Sequence, residues 1–183
     1  VSNSSAITWI SQPASVSIEC DASILPVNTG SANGTTTCST GGLNVTYADV
    51  TAAGSCANAS VITRTWTATD NCTNTETYVQ TITVSDNTVP TIACPSTQTQ
   101  TTAGGSVTLN DFTAMATVSD NCSAVGNITV TQSPLIGSTQ VIGTVVVTLT
   151  ATDECGNTSD CSFNVTVSNT SAITGTNQPA SVS

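Results

Sequence analysis

The stretch TWTATDNCTNTETYVQTITVS, Thr65 to Ser85, decides the fold. Successive side chains of a β-strand point to opposite faces. Here Trp66 and Ala68, then Tyr78, Ile82 and Val84, occupy one set of alternate positions and threonines much of the other. Working outward, Ile62 extends the apolar row backward. The stretch has an echo, TLTATDECGNTSDCSFNVTVS at Thr148 to Ser168, which aligns without a gap at an offset of 83 residues and matches at 11 of 21 positions. In the echo Val147, Leu149 and Ala151 point one way and Thr148, Thr150 and Thr152 the other. Cys161, Phe163, Val165 and Val167 then face in, with Ser162, Asn164 and Thr166 facing out. No 3.6-residue period competes with this pattern. Short alternating strands punctuated by Gly, Asn and Pro turns predict an all-β chain of sandwich type.

A longer repeat encloses the shorter one. VSNSSAITWISQPASVS, Val1 to Ser17, recurs as VSNTSAITGTNQPASVS, Val167 to Ser183, at an offset of 166 residues and with 13 of 17 positions identical. One unit of 166 residues therefore holds two related halves of 83, and the chain reads as a window on a longer tandem array. The expected organisation is a domain over 1–86 with its N-terminal linker strand, a second over 87–167, and the start of the next repeat over 168–183. Pro90 ends one strand run near the boundary.

Composition narrows the function. One basic side chain, Arg64, stands against eleven acids with no Lys and no His, for a net charge of -10. Nucleic-acid binding is excluded, because neutralising phosphates takes clustered Lys and Arg. An anionic membrane surface is excluded for the same reason. Aromatic residues make up 3% of the chain, so the cores must be thin and aliphatic, and small domains of that kind usually need covalent help. Eight cysteines supply it, four in each half, with none of the close thiol pairs or histidines that zinc requires. Disulfides in an extracellular or cell-surface setting are the expectation.

Residues 86–167 resemble the hyalin (HYR) repeat: DNTVPTIACP opens the segment, SDNC at Ser119 to Cys122 follows, and VVVTLTATDECGNTSDCSFNVTV closes it. Residues 13–86 resemble the divergent HYR-like modules of very large Bacteroidota surface adhesins, through SIECD, TYADV, ITRTWTATDNC and VQTITVSDNTVP. The resemblance implies two tandem immunoglobulin-like β-sandwiches within a long extracellular protein, in some cases an adhesin of the gliding-motility type. Tyr78 stands where the second half has Cys161, and Cys56 is extra, so the two halves cannot share both bridges. In the internal alignment Cys38 matches Cys122 and Cys72 matches Cys155. That alignment favours Cys38–Cys72 and Cys122–Cys155 as the shared bridge, leaving Cys20–Cys56 and Cys94–Cys161 as the second bridge in each half. Four cysteines allow three pairings, so spacing alone does not decide.

Catalysis is not expected, since no His or Lys and no free thiol is left to act as base or nucleophile at neutral pH. No cofactor is expected either. Asp70, Asp86, Asp120, Asp153 and Glu154 sit at strand ends or linkers and are weak calcium candidates, against the simpler reading that Asp favours turns. Arg64 shares a face with Trp66. Its expected role is structural, the aliphatic stem covering Trp66 and the guanidinium pairing with Asp49 or Glu19. Trp9, replaced by Gly175 in the next unit, is the candidate ligand contact.

Together these readings describe a disulfide-stabilised stalk repeat of a secreted or cell-surface adhesin or fibre, whose partners are neighbouring repeats. The alternatives are a multivalent module for surface glycans or polymers, and a self-assembling filament subunit.

Overall fold

The structure, a computed structural model, describes residues 6–39 and 41–170. Of the expected next-repeat segment 168–183, residues 171–183 lie outside the described residues. Two compact units make up the chain, and neither is continuous in sequence.

The first unit comprises, of the described residues, those of 6–90 with 120–128 and 152–157. Its strands are β1 (Ile7–Ser11), β2 (Val16–Glu19), β3 (Asn33–Thr36), β4 (Leu43–Ala53), β5 (Ser60–Asp70) and β6 (Thr75–Ser85), with one short helical turn, α1 (Pro26–Thr29). The main sheet runs β2-β6-β5-β4, and β1 pairs with β3 in a separate ribbon. Along β5 every second residue from Ile62 through Arg64, Trp66 and Ala68 to Asp70 is buried, while the residues between are half-buried or exposed. That is the period-two pattern read from the sequence, carried by β-branched residues that suit a pleated surface. Gly30 follows α1 at φ 95°, and a Cβ there would meet the Pro13 Cβ at 2.7 Å, so a left-handed glycine is required where the two segments cross.

The second unit comprises, of the described residues, 91–119, 129–151 and 158–170. Its strands are β7 (Thr91–Ala93), β8 (Gln98–Thr102), β9 (Ser106–Thr108), β10 (Thr117–Ser119), β11 (Thr129–Ser133), β12 (Thr139–Val141), β13 (Gly143–Thr152) and β14 (Thr158–Asn169). The main sheet runs β11-β13-β14-β8, with two-stranded ribbons β7-β10 and β9-β12. The two main sheets are built alike. Each has a short parallel edge strand, β2 against β6 and β8 against β14, beside the last long strand of its half. Leu109, Phe112, Val147, Leu149, Phe163 and Val165 form the core of the second unit, with Phe112 and Phe163 edge to face at 5.3 Å.

All eight cysteines are paired, as Cys20–Cys122, Cys38–Cys72, Cys56–Cys155 and Cys94–Cys161, with Cα–Cα distances of 6.0, 6.0, 5.1 and 5.7 Å. Those separations lie within the range a disulfide spans without backbone distortion. The expected Cys20–Cys56 and Cys122–Cys155 bridges are therefore corrected: the four partners are exchanged. The domain boundaries are corrected by the same observation. Residues 120–128 and 152–157 carry Cys122 and Cys155, and both bridges fasten these segments to residues 1–90 within the first unit. An alignment of the two halves presumes that each closes on itself. Covalent links between residues 102 and 99 positions apart follow a different rule. Among the described residues no helix is long and apolar enough to cross a membrane.

Candidate functional site

The first unit buries its one cation. Arg64 is fully buried on β5, and strand register sets Asp49 of β4 directly opposite it and Gln80 of β6 on its other side. The guanidinium donates from Nε to Asp49 Oδ1 and from Nη2 to Asp49 Oδ2, each at 2.8 Å. It also donates from Nη1 to Thr29 Oγ1 at 2.9 Å and from Nη2 to the Ile24 carbonyl at 2.8 Å. The ring centroid of Tyr47 is 4.5 Å from its central carbon and that of Trp66 5.8 Å. Bidentate pairing with a carboxylate and stacking on an aromatic face are both suited to the planar fork of Arg. The hydrogen bonds that the guanidinium donates to Asp49, opposed by burial, hold its pKa above the ordinary value. With four of its five N–H donors engaged and its side chain buried, Arg64 offers nothing to an external ligand. Glu19, the other proposed partner, instead accepts from the Asn87 main-chain N–H and from Asn87 Nδ2, each at 3.1 Å.

Gln80 completes this polar belt and carried no signal in the sequence. Fully buried, it accepts from Trp66 Nε1 at 3.2 Å and donates from Nε2 to the Thr29 carbonyl at 2.7 Å and the Ala14 carbonyl at 3.0 Å. Trp9 is not the exposed platform that a glycan contact needs. It is half-buried, tilted against Tyr78 at 6.4 Å, and its indole Nε1 lies inside the protein surface.

The strand-end aspartates divide into two kinds. Asp70 ends β5 and caps the turn DNCTN: its Oδ1 accepts from the main-chain N–H groups of Cys72 and Asn74 at 2.9 Å, and its Oδ2 from Thr36 Oγ1 at 2.9 Å. The neighbouring sulfurs of Cys38 and Cys72 are bonded to each other and so are not thiolate ligands. Asp70 is a turn residue. Asp153 caps the equivalent turn DECGN in the same way, with Cys155 and Asn157 N–H groups at 2.8 Å and Asn157 Nδ2 at 2.7 Å. Burial acts to raise its pKa, but these hydrogen bonds outweigh it and the net shift is downward.

Asp153 differs from Asp70 in what surrounds it. Carboxylate oxygens of Asp86, Asp120 and Asp153 lie within 4.8 Å of one another, and a carboxylate oxygen of Glu19 is equally close to Asp86. Each of the three aspartates follows a strand end, after Ser85 of β6, Ser119 of β10 and Thr152 of β13, while Glu19 closes β2. All four belong to the first unit. Asn157 Nδ2 also donates to the Asp86 carbonyl at 3.2 Å, which fastens the Asp153 turn to the Asp86 backbone. Asp120 Oδ2 accepts from the N–H groups of Cys122 and Ser123 at 2.8 Å, and Asp86 Oδ1 from Thr88 N–H at 3.2 Å. Burial, partly offset by the Thr88 N–H, pushes the Asp86 carboxyl above the usual range, and the charges of Asp120, Asp153 and Glu19 push it further. Glu154, the remaining candidate, accepts from Asn58 Nδ2 at 3.2 Å.

Comparison with known proteins bears on the second half of the chain. Residues 85–167 match the family model described as the HYR domain. No curated protein matches the chain. Among solved structures, Drosophila N-cadherin EC1-4 aligns over 88% of this chain and 49% of its own at 13% identity, with a TM-score of 0.41. Protocadherin gammaB7 EC3-6 aligns over 91% and 51% at 12% identity, with a TM-score of 0.34. Human mucin-like protocadherin EC1-2 aligns over 90% and 98% at 8% identity, also with a TM-score of 0.34. The chain spans about half the length of the first two of these structures. The segment that holds Asp86, Asp120 and Asp153 is thus similar in sequence to the HYR domain.

Proposed function

We propose that the chain is a non-catalytic stalk repeat of a secreted or cell-surface adhesin or fibre, built from two tandem immunoglobulin-like sandwiches and joined end to end with further repeats. One observation carries this reading: the disulfides shorten the covalent path through the module. A pulling force passes from Cys20 to Cys122, back along the chain to Cys94, across to Cys161 and out along the C-terminal section, leaving the rest of the chain unstretched. The second long bridge, Cys56–Cys155, offers a path of similar length. Only about 70 of the 183 residues lie on the shortest route, so full unfolding extends the oxidised module to less than half its reduced contour. Such cross-linking protects length under load. The match of residues 85–167 to the HYR domain supports an extracellular repeat, as does complete pairing of the cysteines. The engagement of Arg64 by Asp49 and the packing of Trp9 on Tyr78 leave the ligand-binding reading without an anchor.

Single-molecule stretching checks this. At ~3.6 Å per residue the oxidised chain should extend to about 26 nm and the reduced chain to about 65 nm. Equal extensions in the two states would remove the basis of the stalk reading.

A further inference from the structure

The carboxylate cluster holds more negative charge than the protein compensates. Three buried or half-buried aspartates and Glu19 converge within 4.8 Å contacts of Asp86. The chain has one basic side chain, Arg64, which is buried and paired with Asp49, with Thr29 and Ile24 as further acceptors, on another part of the sheet. No protein cation is left to neutralise the group. A second observation points the same way. Asp86 is 94% buried, at 6% relative exposure, and its Oδ2 accepts no hydrogen bond. Asp120 Oδ1 is likewise buried and unpartnered. A buried carboxylate oxygen with neither donor nor counter-ion is costly. Here two such oxygens belong to residues whose carboxylates meet in one cluster.

The rest of the group is held in place. The second oxygens of Asp86 and Asp120 are fixed by main-chain N–H groups of Thr88, Cys122 and Ser123, and Asp153 is fixed by the Asn157 side chain and its own turn. The Cys20–Cys122 bridge fastens the Asp120 segment beside Glu19. Thus one oxygen of each of Asp86 and Asp120 is used for positioning and the other is left over. Hard oxygen donors at several strand ends suit calcium, which takes six to eight oxygens in flexible geometry, better than magnesium with its strict octahedron. The sulfur of Cys122 is spent in its bridge and supplies no soft ligand.

We infer that Asp86, Asp120 and Asp153, with Glu19 beside them, form a calcium site, in which the unpartnered oxygens of Asp86 and Asp120 are ligands and Asp70 takes no part. This rests on none of the stalk reading.

The test uses the oxidised full chain, stripped with EDTA and titrated with CaCl2 by calorimetry and thermal melting. One calcium ion per chain should bind, with a dissociation constant of about 10⁻⁴–10⁻³ M. The melting midpoint should rise by about 3–8 °C at saturation, with MgCl2 giving less. Asp86→Asn and Asp120→Asn each keep the positioning acceptor and remove a charge, and each should weaken binding at least ~10-fold. Asp86→Asn should also melt above the wild type in EDTA, because it relieves the uncompensated buried charge, and should then gain less from calcium than the wild type does. Asp160→Asn, on an exposed stretch of β14, should behave as the wild type. No heat and no shift with CaCl2 to about 10 mM would show that a proton on the cluster suffices, and would overturn the site. Calcium binding that survives both Asn substitutions would place the ion elsewhere and overturn it equally.

Discussion

At the 83-residue offset Arg64 stands where the second unit has Val147, Trp66 where it has Leu149, and Gln80 where it has Phe163. All six side chains are buried. The second unit fills its sheet face with aliphatic and aromatic groups that pack on Leu109 and Phe112. The first fills the same lattice positions with a guanidinium, an indole and an amide, each satisfied by a neighbour, and keeps a small apolar cluster at Ile62, Ile82 and Val84. One strand pattern therefore supports two kinds of interior. Period two fixes which positions are inside but not what chemistry occupies them. The first unit offsets its small apolar core with covalent links, holding three of the four bridges.

The sharpest way to break this contrast is to remove those links. A loop of about 100 residues gives a bridge ~4–5 kcal/mol on the chain-entropy estimate, against ~3.7 for the 34-residue separation of Cys38–Cys72. Changing Cys56 and Cys155 together to Ser, or Cys20 and Cys122 together, should each lower stability in urea by more than removing Cys38–Cys72. Cleavage at aspartates under non-reducing conditions, followed by mass spectrometry, should recover Cys20 linked to Cys122. Recovery of Cys20 linked to Cys56 would restore self-closed halves and erase the difference between the units.

The next effect is at the matched interior position. Arg64→Val makes the first unit resemble the second but leaves Asp49, Thr29 Oγ1 and the Ile24 carbonyl without their donor, and leaves a void beside Tyr47 and Trp66. A loss of ~3–5 kcal/mol in urea unfolding is expected. Asp49→Asn should cost less, ~1–3 kcal/mol, because Asp49 keeps 23% of its side-chain surface exposed and water can partly replace it. The reverse change, Val147→Arg, finds no acid anywhere in the neighbouring strand β11 and should prevent folding of the second unit. If Arg64→Val were neutral, the polar belt would be incidental to the first unit's stability.

How far the sequence carried this account follows from the range over which each signal acts. The alternation in β5, β6, β13 and β14 is local, and it placed Ile62, Trp66, Ala68, Val147, Leu149, Phe163 and Val165 inside without any tertiary knowledge. The Arg64–Asp49 pair was within reach because a lone cation on an inward face must find an acid, though the sequence also allowed Glu19. Gln80 was not legible: nothing local distinguishes an inward Gln that meets three partners from an outward one that meets water. The bridges Cys20–Cys122 and Cys56–Cys155 were misassigned because internal similarity reports common ancestry of the halves, not which cysteines meet. The same limit hid the difference between Asp70 and Asp153. Their turns are near-copies, but convergence on Asp86 and Asp120 depends on residues far away in sequence.

Those twin turns also give the smallest and cleanest test. In DNCTN and DECGN, both in the first unit, the fourth position carries Thr73 at φ 69° and Gly156 at φ 89°, so the same left-handed geometry is imposed on a β-branched residue in one turn and met by glycine in the other. A non-glycine residue in that region costs about 1–2 kcal/mol. A Cβ at Gly156 would meet nothing within 4 Å, so Gly156→Thr should carry the backbone cost alone, a loss of ~1–2 kcal/mol with no steric addition. Thr73→Gly relieves the strain but gives the unfolded chain more freedom, which takes back ~0.5–1 kcal/mol. The net gain should be under about 1 kcal/mol, opposite in sign to the change at Gly156. Thermal melting of the two single variants decides the matter: equal losses from both would mean that the turns are not equivalent in backbone strain, whatever their sequences suggest.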